Sequence, residues 1–138
     1  ETMGGGMGAS ALRDGLSGVH VHMSNSLNTP IEALEHAYPL RIVRYEIRRG
    51  SGGSGRQRGG DGLRRDVLLL TDADVSLLSE RRVTGPKGLA GGGDGQAGEN
   101  ILITPNGEEP LPAKTTFRAR AGDIVSVRSP GGGGFGSE

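Results

Sequence analysis

The chain has 138 residues and a mass of 14.2 kDa, which bounds it to one folding unit. Lys and Arg balance Asp and Glu at 16 each, so neither a nucleic-acid polyanion nor an acidic membrane surface is electrostatically invited. Cysteine is absent, which excludes disulfide staples, cysteine-ligated zinc and cysteine nucleophiles and fits a reducing, cytoplasmic compartment.

Aliphatic clusters of four to eight residues alternate with Gly and Pro punctuation, the spacing of a mainly β chain of antiparallel strands. The first expected strand is Val19 to Met23, where His20 and His22 share one face by period-two alternation. One short helix is expected near residues 30–37, within Thr29–Ala37: Thr29 caps it, Pro30 opens it, Glu32 completes a capping box, and Pro39 stops it. Ile31, Leu34 and Tyr38 form its buried edge. Strand Leu40 to Arg49 follows, with Val43, Tyr45 and Ile47 on one face and Arg44, Glu46 and Arg48 on the other. Further strands are expected at Asp66–Leu70, Val75–Val83, Asn100–Thr104, Thr115–Arg120 and Asp123–Arg128. The last two are joined by the turn residues Arg120-Ala121-Gly122-Asp123 into a hairpin.

Four glycine-dense stretches separate these elements: Gly4 to Gly8, Gly50 to Gly62, Gly85 to Gly98 and Gly131 to Gly136. Charged side chains interleaved among the glycines of the second stretch argue for ordered loops over flexible linkers. Gly50-x-Gly52-x-x-Gly55 spells a dinucleotide-binding pattern, but the residues after it open no helix, and Gly55 is followed by Arg56 where a Walker loop requires Lys and then Ser or Thr. Two readings of this stretch stay open: an anion site of loop amides with Arg56 and Arg58, or a structural turn whose arginines face solvent or pair with Asp61 and Asp66. His20 and His22 likewise have three readings. They ligate a metal with a third ligand from Asp14, Glu32 or Glu35, or they are polar residues of a cleft, or they are structural.

The order of the motifs is more specific than any one of them. Glu1-Thr2-Met3-Gly4-Gly5-Gly6-Met7-Gly8-Ala9 precedes Asp14-Gly15, Val19-His20-Val21-His22-Met23-Ser24-Asn25 and Asn28-Thr29-Pro30-Ile31-Glu32-Ala33-Leu34-Glu35. There follow Tyr38-Pro39-Leu40, Arg48-Arg49-Gly50-Ser51-Gly52-Gly53-Ser54-Gly55, Arg58-Gly59-Gly60-Asp61-Gly62, Gly88-Leu89-Ala90-Gly91-Gly92, Gly122-Asp123-Ile124-Val125 and Ser129-Pro130-Gly131-Gly132-Gly133-Gly134-Phe135-Gly136. This series resembles the carboxy-terminal region of the hydantoinase B / 5-oxoprolinase family, from Glu1 to Gly136.

The resemblance implies that residues 1–138 are a single carboxy-terminal segment of a larger α+β subunit, inactive alone. The partners it implies are the remainder of the hydantoinase B-type subunit, a hydantoinase A-type ATPase subunit and a small-molecule substrate, with no nucleic acid and no membrane. ATP-dependent opening of a cyclic amide, or carboxylation of a ketone, is the implied parent activity. ATP and a divalent metal are expected in the whole enzyme, bound outside this segment. His20 and His22 carry over as catalytic residues and Asn25 as a substrate-binding one, beside Arg56 and Arg58; no metal ligand is carried over. A non-catalytic β-rich interaction module or small structural protein is the alternative.

Overall fold

The computed structural model describes all of residues 1–138. Its elements in chain order are α1 (Ile31–Ala37), β1 (Leu40–Arg48), β2 (Gly62–Leu69), β3 (Ala73–Leu78), β4 (Glu99–Thr104), β5 (Gly107–Leu111), β6 (Lys114–Ala119) and β7 (Ile124–Arg128). Five strands form one antiparallel sheet in the order β1-β2-β7-β4-β5, and β3 pairs with β6 in a second sheet. The chain is mainly β with a single short helix, as its punctuation predicts.

Alternation along the strands decides where the core sits. The cross-strand row Ile42, Val67, Val125 and Leu102 lies on one face of the large sheet. The small sheet covers that face with Val75 and Leu77 from β3 and Phe117 and Ala119 from β6, around the buried side chains of Leu69, Leu102, Ala119 and Val125. Asp74, Ser76 and Leu78, the alternate residues of β3, are exposed. The expected strand Val75–Val83 therefore overshoots: pairing ends at Leu78 opposite Lys114, and both Leu78 and Val83 are exposed.

Further expectations are corrected. The Arg120–Asp123 turn is real, closed by the Asp123 amide donating to the Arg120 carbonyl (3.0 Å) and the Arg120 amide donating to Asp123 Oδ2 (3.0 Å). It does not make a hairpin, because β6 pairs with β3 while β7 pairs with β2 and β4; the turn instead carries the chain from one layer to the other. Gly122 sits there at φ +92°, so Gly122→Ala is expected to cost about 1 kcal/mol or more in denaturant melts, with Gly122→Asn closer to wild type. β5 escapes the sequence pattern because Gly-Glu-Glu-Pro-Leu is polar and holds Pro110, which an edge strand tolerates.

Val19 to Met23 is not a strand. Val19 makes one bridge to Gly5, and Ser24 then closes a turn on the Val21 carbonyl through its amide and hydroxyl, with His22 at φ +55°. In α1 the cap is Pro30 itself, without any side-chain hydrogen bond, so neither the Thr29 cap nor the Glu32 box forms; the Thr29 amide donates instead to Glu1 Oε1 (3.1 Å). Ile31 and Leu34 are half-buried, but Tyr38 is exposed. In β1 a register shift between Ile42 and Arg44 makes Val43 a bulge, so the single alternation expected for Val43, Tyr45 and Ile47 breaks there.

The glycine stretches are packed chain segments. Residues 130–136 run through their centre, and backbone bonds reach them from several sides: Gly6 to Pro130, Gly53 to Gly132, Gly132 to Gly60, Gly134 to Gly93 and Leu89 to Gly134, at 2.8–3.0 Å. The approach is backbone against backbone. A Cβ on Gly60 would overlap the Leu16 carbonyl, and one on Gly132 would overlap the Met7 carbonyl. Close packing here takes the place of a large apolar core, which explains how so few buried aliphatic side chains suffice.

Candidate functional site

An open cleft of about 1220 Å³ lies where the glycine segments meet the large sheet. Its walls come from the first glycine stretch, the turn at His22, the end of α1, Arg65 and Val67 of β2, and the segment after β3 up to Lys87. Glu1 and Arg65 pair on one wall. Arg65 is 7% exposed, its guanidinium lies 5.2 Å from the Tyr45 ring centroid, and its Nε has no partner. Burial alone would push the Glu1 carboxyl up, but the hydrogen bonds from Arg65 and the Thr29 amide outweigh it and hold it below the ordinary value.

Of the five site residues expected from sequence, the cleft takes in His22 alone. His22 is exposed at the turn, whereas His20 is half-buried with an unpartnered Nδ1, so the two do not share a strand face. Asn25 is exposed and outside the cleft. Arg56 and Arg58 are exposed as well, without an ion pair to Asp61 or Asp66. Several amides of that stretch are committed within the chain: Gly52 donates to Asp61 Oδ1, Gly53 to Gly132, Gly59 to Gly53 and Gly60 to Met7. The exposed arginines accord with the structural-turn reading of that stretch.

No three metal-ligating side chains come together, and two of the proposed third ligands are otherwise engaged. Asp14 Oδ1 accepts the Arg58 amide (2.8 Å) and Glu35 Oε1 accepts the Ile42 amide (2.9 Å). The donor set does not fit a metal.

Residues that sequence reasoning missed sit across the cleft. Arg82, in the segment expected to continue a strand, donates from Nε to Asn100 Oδ1 (3.1 Å) and from Nη1 to the Glu80 carbonyl (2.7 Å). Asn100 is 3% exposed and is fixed in turn by Ser79 Oγ (2.8 Å). The Arg81-Arg82 doublet inside an apolar-alternating pattern is the one sequence signal that pointed here.

The hydantoinase B/oxoprolinase family model matches residues 1–138. The chain is 46% identical to 5-oxoprolinase 1 of Arabidopsis thaliana, over 99% of its own length and 11% of that protein. It is 34% identical to a Pseudomonas sp. (strain NS671) protein named as the B-type component of a D-/L-hydantoinase, over 99% of itself and 24% of that protein. Among solved structures it superposes on the ATP-dependent caprolactamase of Pseudomonas jessenii with a TM-score of 0.77 at 30% identity, covering 98% of itself and 24% of that chain. An acetone carboxylase in its nucleotide-free form shares the fold, with a TM-score of 0.71 at 23% identity over 96% of this chain and 22% of that one. The chain thus spans between about a tenth and a quarter of the relatives it matches.

Proposed function

Since the chain belongs to the hydantoinase B/oxoprolinase family, we propose that residues 1–138 are the carboxy-terminal segment of a hydantoinase B-type subunit. The whole is part of an ATP-dependent enzyme that opens cyclic amides, working with an ATPase subunit in the cytoplasm. What carries the proposal is a cleft open to solvent, lined here by packed glycine segments, the turn at His22 and Arg82. The rest of the subunit covers its mouth. No helix of the chain is long and apolar enough to cross a membrane.

We place ATP and a divalent metal outside this segment: the glycine stretch after β1 opens no helix to hold a phosphate, and the carboxylates do not converge. In the whole enzyme ATP would supply the phosphoryl group that activates the amide oxygen. The segment's own contribution is a rigid wall and one imidazole. Amide packing holds the glycine segments in place without side-chain rearrangement, so groups on them are preorganised. His22 stands at the cleft to hold or pass a proton, while the buried, unpartnered Nδ1 of His20 takes its partner from the rest of the subunit.

In the intact enzyme, His22→Ala is expected to lower kcat/KM about 100-fold, within the range for one general acid or base. Steady-state ATP-dependent ring opening measures it. Full activity with His20 and His22 both changed to Ala would overturn the catalytic assignment.

A further inference from the structure

The two edges of the large sheet are finished differently. β5 is short, with Glu108 and Glu109 exposed and Pro110 lacking an amide to offer, which are guards expected of a strand that ends a sheet. β1 has nine residues and no proline, and its Val43, Tyr45 and Ile47 are 47%, 42% and 41% exposed. Its outer backbone is unguarded too. In β2 the Leu63 carbonyl accepts the Ser129 amide and the Leu69 amide donates to the Asp123 carbonyl, so by alternation Gly62, Arg64 and Asp66 face β1. Their register partners Arg48, Glu46 and Arg44 take those bonds, and the intervening Tyr45 and Ile47 turn their amides outward. The Ile42 amide also points outward but is covered, since Glu35 Oε1 of α1 accepts it (2.9 Å). Beyond the bulge at Val43 no loop of the chain does the same for Tyr45 or Ile47.

We propose that an extended segment from the remainder of the subunit pairs with β1 between Arg44 and Arg48 as a sixth strand of the large sheet, its apolar side chains against Tyr45 and Ile47. The proposal rests on the reading above that these residues are part of a larger subunit. The chain makes up 24% of the caprolactamase chain on which it superposes, and an unguarded apolar edge is where further chain gains most by docking. Two copies of β1 suit each other poorly. Paired through Tyr45 and Ile47, they would set Glu46 against Glu46 and Arg44 against Arg48, and like charges directly opposite destabilise a sheet. Paired about Tyr45 alone, they would run into the bulge at Val43. Tyr45 lies opposite Arg65 in the register and stacks on its guanidinium, so the added strand extends the sheet surface that lines the cleft.

Hydrogen exchange in the intact subunit, resolved to single residues by mass spectrometry, tests the pairing. The Tyr45 and Ile47 amides are expected to exchange about 100-fold or more slowly than an unstructured chain, as the Arg44 and Glu46 amides bonded to β2 do. Exchange near the unstructured rate at Tyr45 and Ile47, with Arg44 and Glu46 slow, overturns the proposal. Photo-cross-linking from Ile47→p-benzoylphenylalanine in the same intact protein identifies the occupant. A bond to a peptide of the same polypeptide outside residues 1–138 sustains the proposal. A bond to a second copy or to an ATPase subunit overturns it, and so does the absence of any cross-link. The intact mass of the native polypeptide separates the two failures. A mass near that of this chain overturns the function proposed above and takes the added strand with it, whereas a full-length subunit with fast exchange at Tyr45 overturns the strand alone.

Discussion

Gly60→Ala and Gly132→Ala are each expected to destabilise the chain by about 3 kcal/mol or more, a large fraction of a typical domain's stability. The added methyl group would meet main chain in both cases: the Leu16 carbonyl and Ser17 amide at Gly60, and the Met7 carbonyl and Gly8 amide at Gly132. Main chain cannot swing aside as a side chain can. Relief would separate segments whose amides are paired across the bundle, Gly60 with Met7 and Gly132 with Gly60. Buried amides would then lose their partners, adding a polar cost to the steric one. Gly8→Ala is the control, because its nearest neighbour would be the Gly133 carbonyl at 3.9 Å, an ordinary contact. It should melt within about 0.5 kcal/mol of wild type in guanidinium titrations. Equal melts for Gly8→Ala and Gly60→Ala would mean that the bundle is not close-packed.

The strand pattern was legible where apolar residues recur along the chain. β1, β4 and β7 fall within a residue or so of their expected bounds, since period-two alternation reports burial on a single face. Partnership was not legible. Arg120-Ala121-Gly122-Asp123 has the residues of a hairpin turn, yet tight-turn chemistry specifies only a reversal of direction, and burial of Phe117 and Ala119 against the large sheet sends the two strands to different layers. Val19 to Met23 looked like a strand because alternating apolar residues satisfy the template, but Val21 is partly exposed and Met23 fully so, leaving no buried face to hold an extended pairing. At α1 the expected cap failed through a long-range competitor: Glu1 takes the Thr29 amide, 28 residues away in the chain.

The site shows the same division. Glycine density announced ordered loops, and the interleaved charges correctly argued against a slack linker, though not which segments pack together. Of the candidate residues only His22 lines the cleft, and histidine is chemically conspicuous in a sequence wherever it lies. Arg82, Asn100 and the Glu1–Arg65 pair were missed because their meaning is tertiary: an arginine becomes informative only when its potential carboxylate partners are seen to be occupied elsewhere. Spacing does not carry that information.

Asp66→Asn is expected to cost about 2–3 kcal/mol at pH 7, with a loss that fades in acid. Asp66 lies on the face of the large sheet away from the small one, in a row with Arg44 and Ser126. Its carboxylate accepts Arg64 Nε (3.1 Å) and Nη2 (2.9 Å) and the Ser126 hydroxyl (2.6 Å), with Arg44 Nε 3.8 Å away. The side chain is only 6% exposed. Burial by itself would raise the carboxyl pKa, but the hydrogen bonds from Arg64 and Ser126 and the charges of Arg64 and Arg44 prevail and hold it below the ordinary 3.8. A carboxylate whose folded pKa is depressed stabilises fully above the unfolded value and loses that contribution as pH falls through the folded one. The neutral Asn keeps an acceptor for Ser126 and leaves Arg64 and Arg44 without their anion. Wild type should therefore exceed the variant by the full margin from pH 7 down to about 5, and the gap should narrow steadily below pH 4 as wild type takes up the proton. Urea melts of both proteins across that range measure it. A gap that stays constant into acid would place the cost in the shape of the substituted side chain and not in the charge that the arginines surround.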